Sequence, residues 1–283
     1  MWEWSSVGVG VGWGAGCGLG AWGLGLSTLA CAQRRLIFRR PTHIRSLPQG
    51  PWSDSFEIEP LSFDVAPGVR LQGWRSRPKE GAPRGTLLHF GGRGEHVAWA
   101  PHMSGWLRNW SVLSFNYRGF GASTGRPGEV ELMHDALAIH ARYVAPLAPE
   151  HPLVISGRSL GSAVAVRSAG AIAPRALLLF SPLCSVRSLV RRHPMLAPAS
   201  WLLRHPMDAL AHAGSIHCPT LVLLAPGDRQ IPQAHSRRLA AALRGPVTLR
   251  EVPGCAHRTL PRSAGTQQAV LAFFRSEGLL DEV

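Results

Sequence analysis

Short apolar runs of strand length alternate with segments of helical periodicity through most of this chain. The apolar runs are Thr86–Phe90, Ser111–Phe115, Leu153–Ser156, Ala176–Phe180, Thr220–Leu224 and Val247–Val252. The segments with apolar residues at helical spacing are Glu131–Ala145, Ser162–Ala173, Ala234–Leu243 and Gln267–Glu277. This alternation predicts an α/β fold with a mostly parallel central sheet and helices on both faces. In such a sheet, ligands bind at the carboxyl ends of the strands, so the chemistry is expected there.

An antiparallel hairpin is predicted to open this domain. Ser55–Glu59 and Val69–Trp74 alternate apolar and polar residues, and the turn Pro67-Gly68 separates them. Upstream, Pro48 to Pro51 is typical of a linker.

Composition supports a folded chain and argues against a nucleic-acid binder. With 283 residues, 45% hydrophobic and 17% charged, the chain can bury a sizeable core. The net charge is +13, but Lys79 is the only lysine and the arginines are spread along the chain. Nucleic-acid-binding proteins concentrate positive charge on one patch, so no nucleic-acid partner is predicted. The five cysteines have no repeated spacing, and Cys184, Cys218 and Cys255 are expected to be reduced.

The N-terminus carries a candidate membrane anchor. Residues 7–31 contain no charged side chain, and arginines follow at once in 34–40. This length suits a single membrane-spanning helix, and the arginines after it favour a cytoplasmic domain at the cell membrane. Nine glycines between Gly8 and Gly25 weaken the apolar character of the span. A cleaved signal, lipidation at Cys31 and a disordered leader stay as alternatives. The predicted organisation is an anchor with its basic flank (1–41), then one α/β domain (42–283) with a short cap-like segment (181–219).

One serine lies where a nucleophile would be placed. Gly157-Arg158-Ser159-Leu160-Gly161 follows an apolar strand and leads into a helical segment, which is the strand, sharp turn and helix of a nucleophile elbow. A second match, Gly121-Ala122-Ser123-Thr124-Gly125, runs into Arg126-Pro127-Gly128, which cannot form a helix interior. Ser159 is therefore preferred over Ser123.

A nucleophilic serine needs a histidine base and a carboxylate that orients it. Asp228 follows the strand ending at Leu224, whereas Asp208 lies in a Pro-containing connection and Glu251 lies within a strand. His257 follows the last predicted strand. These positions give the chain order Ser, Asp, His that is expected in an α/β-hydrolase sheet.

Two backbone N–H groups are expected to bind the oxyanion. One belongs to Leu160, the residue after the nucleophile. The other lies in the glycine-rich loop after Phe90, where Gly92 is preferred and Arg93 is the alternative. Arg158 is adjacent to the nucleophile; solvent exposure is its default interpretation, and a contact with an anionic substrate is the alternative.

At this point the chain resembles the α/β-hydrolase family, and within it the membrane-anchored Bem46-like group. The segments that carry the resemblance are Gln33–Phe38, Asn116–Gly125, Gly157–Gly161, Ser181–Leu183, Asp228–Pro232 and Gly254–His257. The resemblance implies ester-type hydrolysis with Ser159 as nucleophile, His257 as base and Asp228 as its orienter. It implies no metal and no organic cofactor.

The expected function is that of a serine hydrolase cleaving ester or thioester bonds of an acyl or lipid-like substrate. An acyltransferase or peptidase with the same three residues is the alternative, as is a catalytically silent membrane-tethered scaffold. Apolar residues in the cap-like segment are interpreted as an acyl-chain pocket or as ordinary packing: Leu189, Met195, Leu196, Trp201, Leu202 and Leu203.

Overall fold

A computed structural model describes residues 25, 28, 32–41 and 54–281 of the chain. In this part, eight strands form one sheet in the order β1-β2-β4-β3-β5-β6-β7-β8. The strands are β1 (Phe56–Ala66), β2 (Val69–Pro78), β3 (Gly85–Phe90), β4 (Trp110–Phe115), β5 (Leu153–Arg158), β6 (Ala176–Phe180), β7 (Thr220–Leu224) and β8 (Val247–Glu251). All pairings from β4 through β3 to β8 are parallel. The predicted mostly parallel sheet is confirmed.

The predicted hairpin is also confirmed. β1 pairs with β2 in antiparallel register, and β2 joins the edge of β4, again antiparallel. The turn at Gly68 has a φ of +70°. Glycine adopts this conformation without a steric penalty, which is why the Pro67-Gly68 pair marked the turn in the sequence.

Helices cover both faces of the sheet. They are α1 (Ser104–Leu107), α2 (Glu129–Tyr143), α3 (Leu160–Ile172), α4 (Val186–Arg191), α5 (Gln233–Ala242) and α6 (Ala264–Ser276). Buried residues of α2, α3 and α5 share one apolar core, whereas α6 and residues 97–107 contribute to a second. The central strands lie between these two cores, so β3, β4, β6 and β7 are buried on both faces. Strands buried on both faces need continuous apolar runs, which is why the sequence pattern located them.

The segment between β3 and β4 was not predicted as helix. A 3₁₀ helix (Val97–Met103) and α1 fill it, and they bury Trp99 and Trp106 against the sheet. These helical pieces are short and lack several turns of regular apolar spacing, so periodicity gave no signal.

The segment after the predicted anchor packs on the domain. Residues 32–37 are helical, and Gln33, Ile37 and Phe38 are buried. Except for Gly25 and Thr28, residues 7–31 lie outside the described residues. Among the residues that are described, no helix has the length and apolar character required to cross a bilayer.

Candidate active site

Ser159 lies at a sharp turn between β5 and α3. Its φ of 51° and ψ of −117° are strained for a residue with a side chain. Gly157 and Gly161 allow the turn, since a Cβ at Gly157 would lie only 2.5 Å from the Gly161 carbonyl oxygen. A Cβ at Gly161 would collide with the carbonyl oxygens of Phe90 and Gly91. The turn therefore places Ser159 at the N-terminus of α3, where backbone N–H groups have no intrahelical acceptor.

Asp228 and His257 are in direct contact at the carboxyl ends of β7 and β8. His257 Nδ1 donates a hydrogen bond of 2.7 Å to Asp228 Oδ2. The Asp228 side chain is only 2% exposed, and its other oxygen accepts the backbone N–H groups of Gln230 and Ile231. Burial alone would raise the pKa of Asp228, but the bonds from His257 and the Ile231 N–H lower it. The carboxylate therefore stays ionised and holds the imidazole with Nδ1 protonated, so Nε2 is left as the basic nitrogen.

Arg158, in the elbow, contacts the loop after β8 that carries His257. Its Nη2 donates a hydrogen bond of 3.0 Å to the His257 carbonyl oxygen. In the described part of the chain, no hydrogen bond joins Ser159 Oγ to His257. Catalytic hydrogen bonds are often long without substrate, so this arrangement is compatible with a serine–histidine pair that tightens on binding.

Ser123, in the second glycine-flanked match, has a structural environment. Its hydroxyl donates to the Asn116 carbonyl oxygen and accepts the Gln72 N–H, at 3.0 and 2.9 Å. These bonds join the loop after β4 to β2. Ser123 is not at a helix N-terminus, in agreement with the choice of Ser159.

A buried carboxylate next to Ser159 was missed in the sequence. Glu95 Oε2 accepts the Gly92 N–H and Arg158 Nη1, and Oε1 accepts Trp99 Nε1 at 2.6 Å. Burial alone would raise the pKa of Glu95, but the charge of Arg158 is the main factor that lowers it to about 2. Glu95 thus connects the loop after β3 to the elbow.

The hydrogen bonds to Glu95 include the N–H of Gly92, one of the two predicted oxyanion donors. Gly92 lies beside the elbow, because a Cβ built on it would be 3.5 Å from Ser159 Cβ. Its N–H, however, already donates to Glu95. Leu160 is the first residue of α3, and its N–H lies in the first turn. The side chain of Arg93, the alternative to Gly92, donates to the Leu36 carbonyl oxygen.

This architecture and sequence are similar to those of known proteins. The family described as "Serine aminopeptidase, S33" matches residues 81–207. Est1E from Butyrivibrio proteoclasticus, solved with ferulic acid, superimposes with a TM-score of 0.64 at 16% identity, over 78% of this chain and 100% of Est1E. An uncharacterized protein of Mycobacterium tuberculosis is 32% identical over 245 residues, which is 82% of this chain and 83% of the relative. The chain belongs to the α/β-hydrolase family.

A more distant α/β-hydrolase relative carries a named activity. The lysophosphatidylserine lipase ABHD12 of Danio rerio is 30% identical over 146 residues, or 45% of this chain and 38% of the lipase.

Two sequence-based expectations for this α/β hydrolase need correction. Arg158 was expected in solvent, but its side chain is only 12% exposed, because Glu95 pairs with it. Four residues interpreted as pocket or packing are exposed instead: Met195, Leu196, Trp201 and Leu202. Cys184, Cys218 and Cys255 are free thiols, as predicted.

Sequence signals for the missed residues were weak. Glu95 follows a glycine-rich loop without any motif of its own, and its partner Arg158 is 63 residues away. The signal that could have found the pair is the scarcity of acidic residues, 17 against 30 basic ones, which makes a carboxylate in the loop after a buried strand notable.

Proposed function

We propose that this α/β hydrolase is a serine hydrolase that cleaves carboxylic ester or thioester bonds. The observation that carries the proposal is the hydrogen bond between His257 and Asp228, in a segment whose His257 carbonyl oxygen is held by Arg158, the residue before Ser159. An ionised, buried carboxylate gives the imidazole the tautomer needed for a general base. The strained turn at Ser159 is the second support, because strain of this kind is concentrated at functional sites.

The proposed reaction proceeds through an acyl-enzyme. His257 Nε2 takes the proton of Ser159 Oγ as Oγ bonds to the substrate carbonyl carbon, and the carbonyl oxygen becomes an oxyanion. The imidazolium returns the proton to the leaving oxygen or sulfur as the old bond breaks. Water then attacks the acyl-enzyme with the same base, which releases the acid and the free serine.

The oxyanion would be bound by the N–H groups of Leu160 and Gly92. Helix N-terminal N–H groups favour negative charge, which suits Leu160. The Gly92 N–H would have to transfer its hydrogen bond from Glu95 to the substrate oxygen. Glu95 would remain held by Arg158 and Trp99 during that exchange.

An acyl or lipid-like substrate is proposed within this class. It is supported by the similarity to a lysophosphatidylserine lipase and by the resemblance to the membrane-anchored Bem46-like group. Tethering by residues 7–31, with the domain on the cytoplasmic side of the cell membrane, belongs to the same proposal. The uncharged length of that run and the arginines after it support the tether.

A peptidase or acyltransferase would use the same three residues, and the family description favours the peptidase as second candidate. A silent scaffold would keep the fold without an activated serine.

Fluorophosphonate labelling of the detergent-solubilised full chain tests the proposal. We expect labelling of the wild type, complete loss in Ser159→Ala and retention in Ser123→Ala. Thermal unfolding of each variant controls for folding, because Ser123→Ala removes two hydrogen bonds. A folded wild type without labelling would contradict the proposal and favour the scaffold. If the protein is labelled, activity on a panel of esters, thioesters and aminoacyl amides distinguishes an esterase or thioesterase from a peptidase.

A further inference from the structure

A group of large apolar side chains is exposed on one part of the surface. Met195 and Trp201 are 75% and 73% exposed, and Leu36, Leu196 and Leu202 are also in solvent. We call these five residues the cap surface. Single exposed apolar residues are common in soluble proteins, but several such residues on two segments that pack together indicate an interaction site.

Contacts within the fold bring the two parts of the cap surface together. The side-chain amide of Gln33 donates to the Leu202 carbonyl oxygen at 3.3 Å and accepts the Arg204 N–H at 2.7 Å. The Phe38 ring packs against the ring of His205, with centroids 5.2 Å apart. The helical segment that contains Leu36 therefore lies along the chain that carries Trp201 and Leu202.

The two segments that carry the cap surface are rich in arginine. Neither residues 32–41 nor residues 185–207 contain an acidic residue. Their arginines are Arg34, Arg35, Arg39, Arg40, Arg187, Arg191, Arg192 and Arg204. The Arg191 guanidinium lies 5.7 Å from the centre of the Trp201 ring, so charge and apolar surface are adjacent.

Three carboxylates lie close to these segments: Glu129, Glu131 and Asp208, which directly follows Met207. Glu129 and Glu131 lie on α2 near His205. Glu129 already accepts the Met207 N–H and lies 3.9 Å from Arg167, which is not one of the arginines of these segments. Exposed tryptophan and aliphatic side chains on arginine-rich segments match the interface of an anionic bilayer, where tryptophan rings lie at headgroup depth.

The position of the uncharged residues 7–31 also favours a bilayer as the partner of the cap surface. The uncharged residues 7–31 end directly before residue 32, where the described segment joins the cap surface. A chain that enters the bilayer there would hold the cap surface against the lipid headgroups.

We propose that the cap surface docks on an anionic phospholipid bilayer, with Trp201 and Met195 inserted between headgroups. The proposal concerns the placement of the domain; it rests in part on the proposed tether of residues 7–31 and does not depend on the catalytic role of Ser159.

Site-specific photo-crosslinking on the full chain tests this docking. The chain is reconstituted into vesicles of phosphatidylcholine, with or without phosphatidylglycerol, and both lipids carry a tail label. The photo-reactive residue p-benzoylphenylalanine replaces Trp201 or Met195. In matched controls it replaces Leu147 or Val247, which are exposed apolar residues preceding β5 and starting β8. Both control positions lie at the end of the sheet where its parallel strands begin. The cap-like segment leaves β6 at the opposite end.

We expect the yield of lipid adducts at positions 201 and 195 to be many times the yield at positions 147 and 247. Arg191→Gln/Arg192→Gln should lower the adducts on phosphatidylglycerol vesicles by roughly fivefold per arginine at low salt. Equal adducts at all four positions would overturn the proposal, and so would adducts between two copies of the chain in place of lipid. An unchanged signal in the double arginine variant would overturn the role of charge.

Discussion

At the scale of single residues, the most consequential group is a buried anion beside the elbow. Glu95 is 9% exposed at its side chain and receives hydrogen bonds from three donors on three different segments. A buried ion pair adds little net stability, but removing one partner leaves the other charge buried and uncompensated. Glu95 therefore determines the positions of both Gly92 and Arg158.

Glu95→Gln should destabilise the folded state by roughly 3 kcal/mol near neutral pH, because Arg158 loses its counter-ion. Denaturant unfolding measures the change. Asp64→Asn removes an arginine–carboxylate pair whose partners are both about 60% exposed, so no measurable loss is expected in that control. Equal effects of the two substitutions would contradict the structural role of Glu95.

The same variant has a pH signature. The pKa of Glu95 falls from an ordinary 4.5 to about 2 on folding. A lowered pKa stabilises the folded state at pH values above 4.5, and this contribution is lost as the pH falls towards 2. The stability difference between wild type and Glu95→Gln should therefore shrink across that window in pH-dependent unfolding, and a constant difference would count against an ionised Glu95.

Asp228→Asn should reduce turnover by about 10⁴-fold, by analogy with the serine-protease triad. An asparagine that presents its NH₂ to His257 favours the wrong imidazole tautomer. Asp208→Asn is the matched control, since the one hydrogen bond that Asp208 accepts among the described residues comes from the Ala211 N–H in a surface turn. Initial rates on a reactive ester measure both variants, and an active Asp228→Asn would contradict the proposed role of Asp228.

At the scale of elements, the turn from β5 into α3 determines where Ser159 lies. Its glycines are required by close approach of backbone to backbone, and the positive φ falls on the serine itself. The helix start and the strand end cannot both keep their positions if either glycine gains a side chain.

Gly157→Ala should cost about 1–3 kcal/mol, the usual range for overpacking. Its new Cβ would meet the Gly161 carbonyl oxygen at 2.5 Å and the Ala165 Cβ at 2.6 Å. Fluorophosphonate labelling should fall with it, because α3 is displaced from Ser159. Gly214→Ala is the control, as a Cβ there meets nothing within 4 Å; labelling that is unaffected in Gly157→Ala would contradict the close packing of the elbow.

At the scale of the whole molecule, residues 32–41 pack on the folded domain. Phe38 is buried, and Arg93 and Arg204 both bond to residues 33–36 across the chain. The segment therefore joins the loop after β3 to the cap-like segment.

Phe38→Ala should destabilise the folded protein by about 3–5 kcal/mol, as expected for loss of a buried phenylalanine. Leu36→Ala, at an exposed position of the same segment, should change stability little. Chemical unfolding of the full chain compares them, and a neutral Phe38→Ala would mean that the segment does not pack on the domain in solution.

Local patterns determined the strands, the main helices, the elbow around Ser159 and the choice of Asp228 and His257. These features depend on neighbours within a few residues, or on the rule that strand ends meet at one edge of a parallel sheet. Four features came from the folded structure alone. Arg158 is buried against Glu95, and the Gly92 N–H is engaged by the same carboxylate. Gln33 accepts the Arg204 N–H from 171 positions away, and Trp201 is exposed to solvent. Each of these depends on contacts between distant segments, and local periodicity carries no information about which distant residues meet.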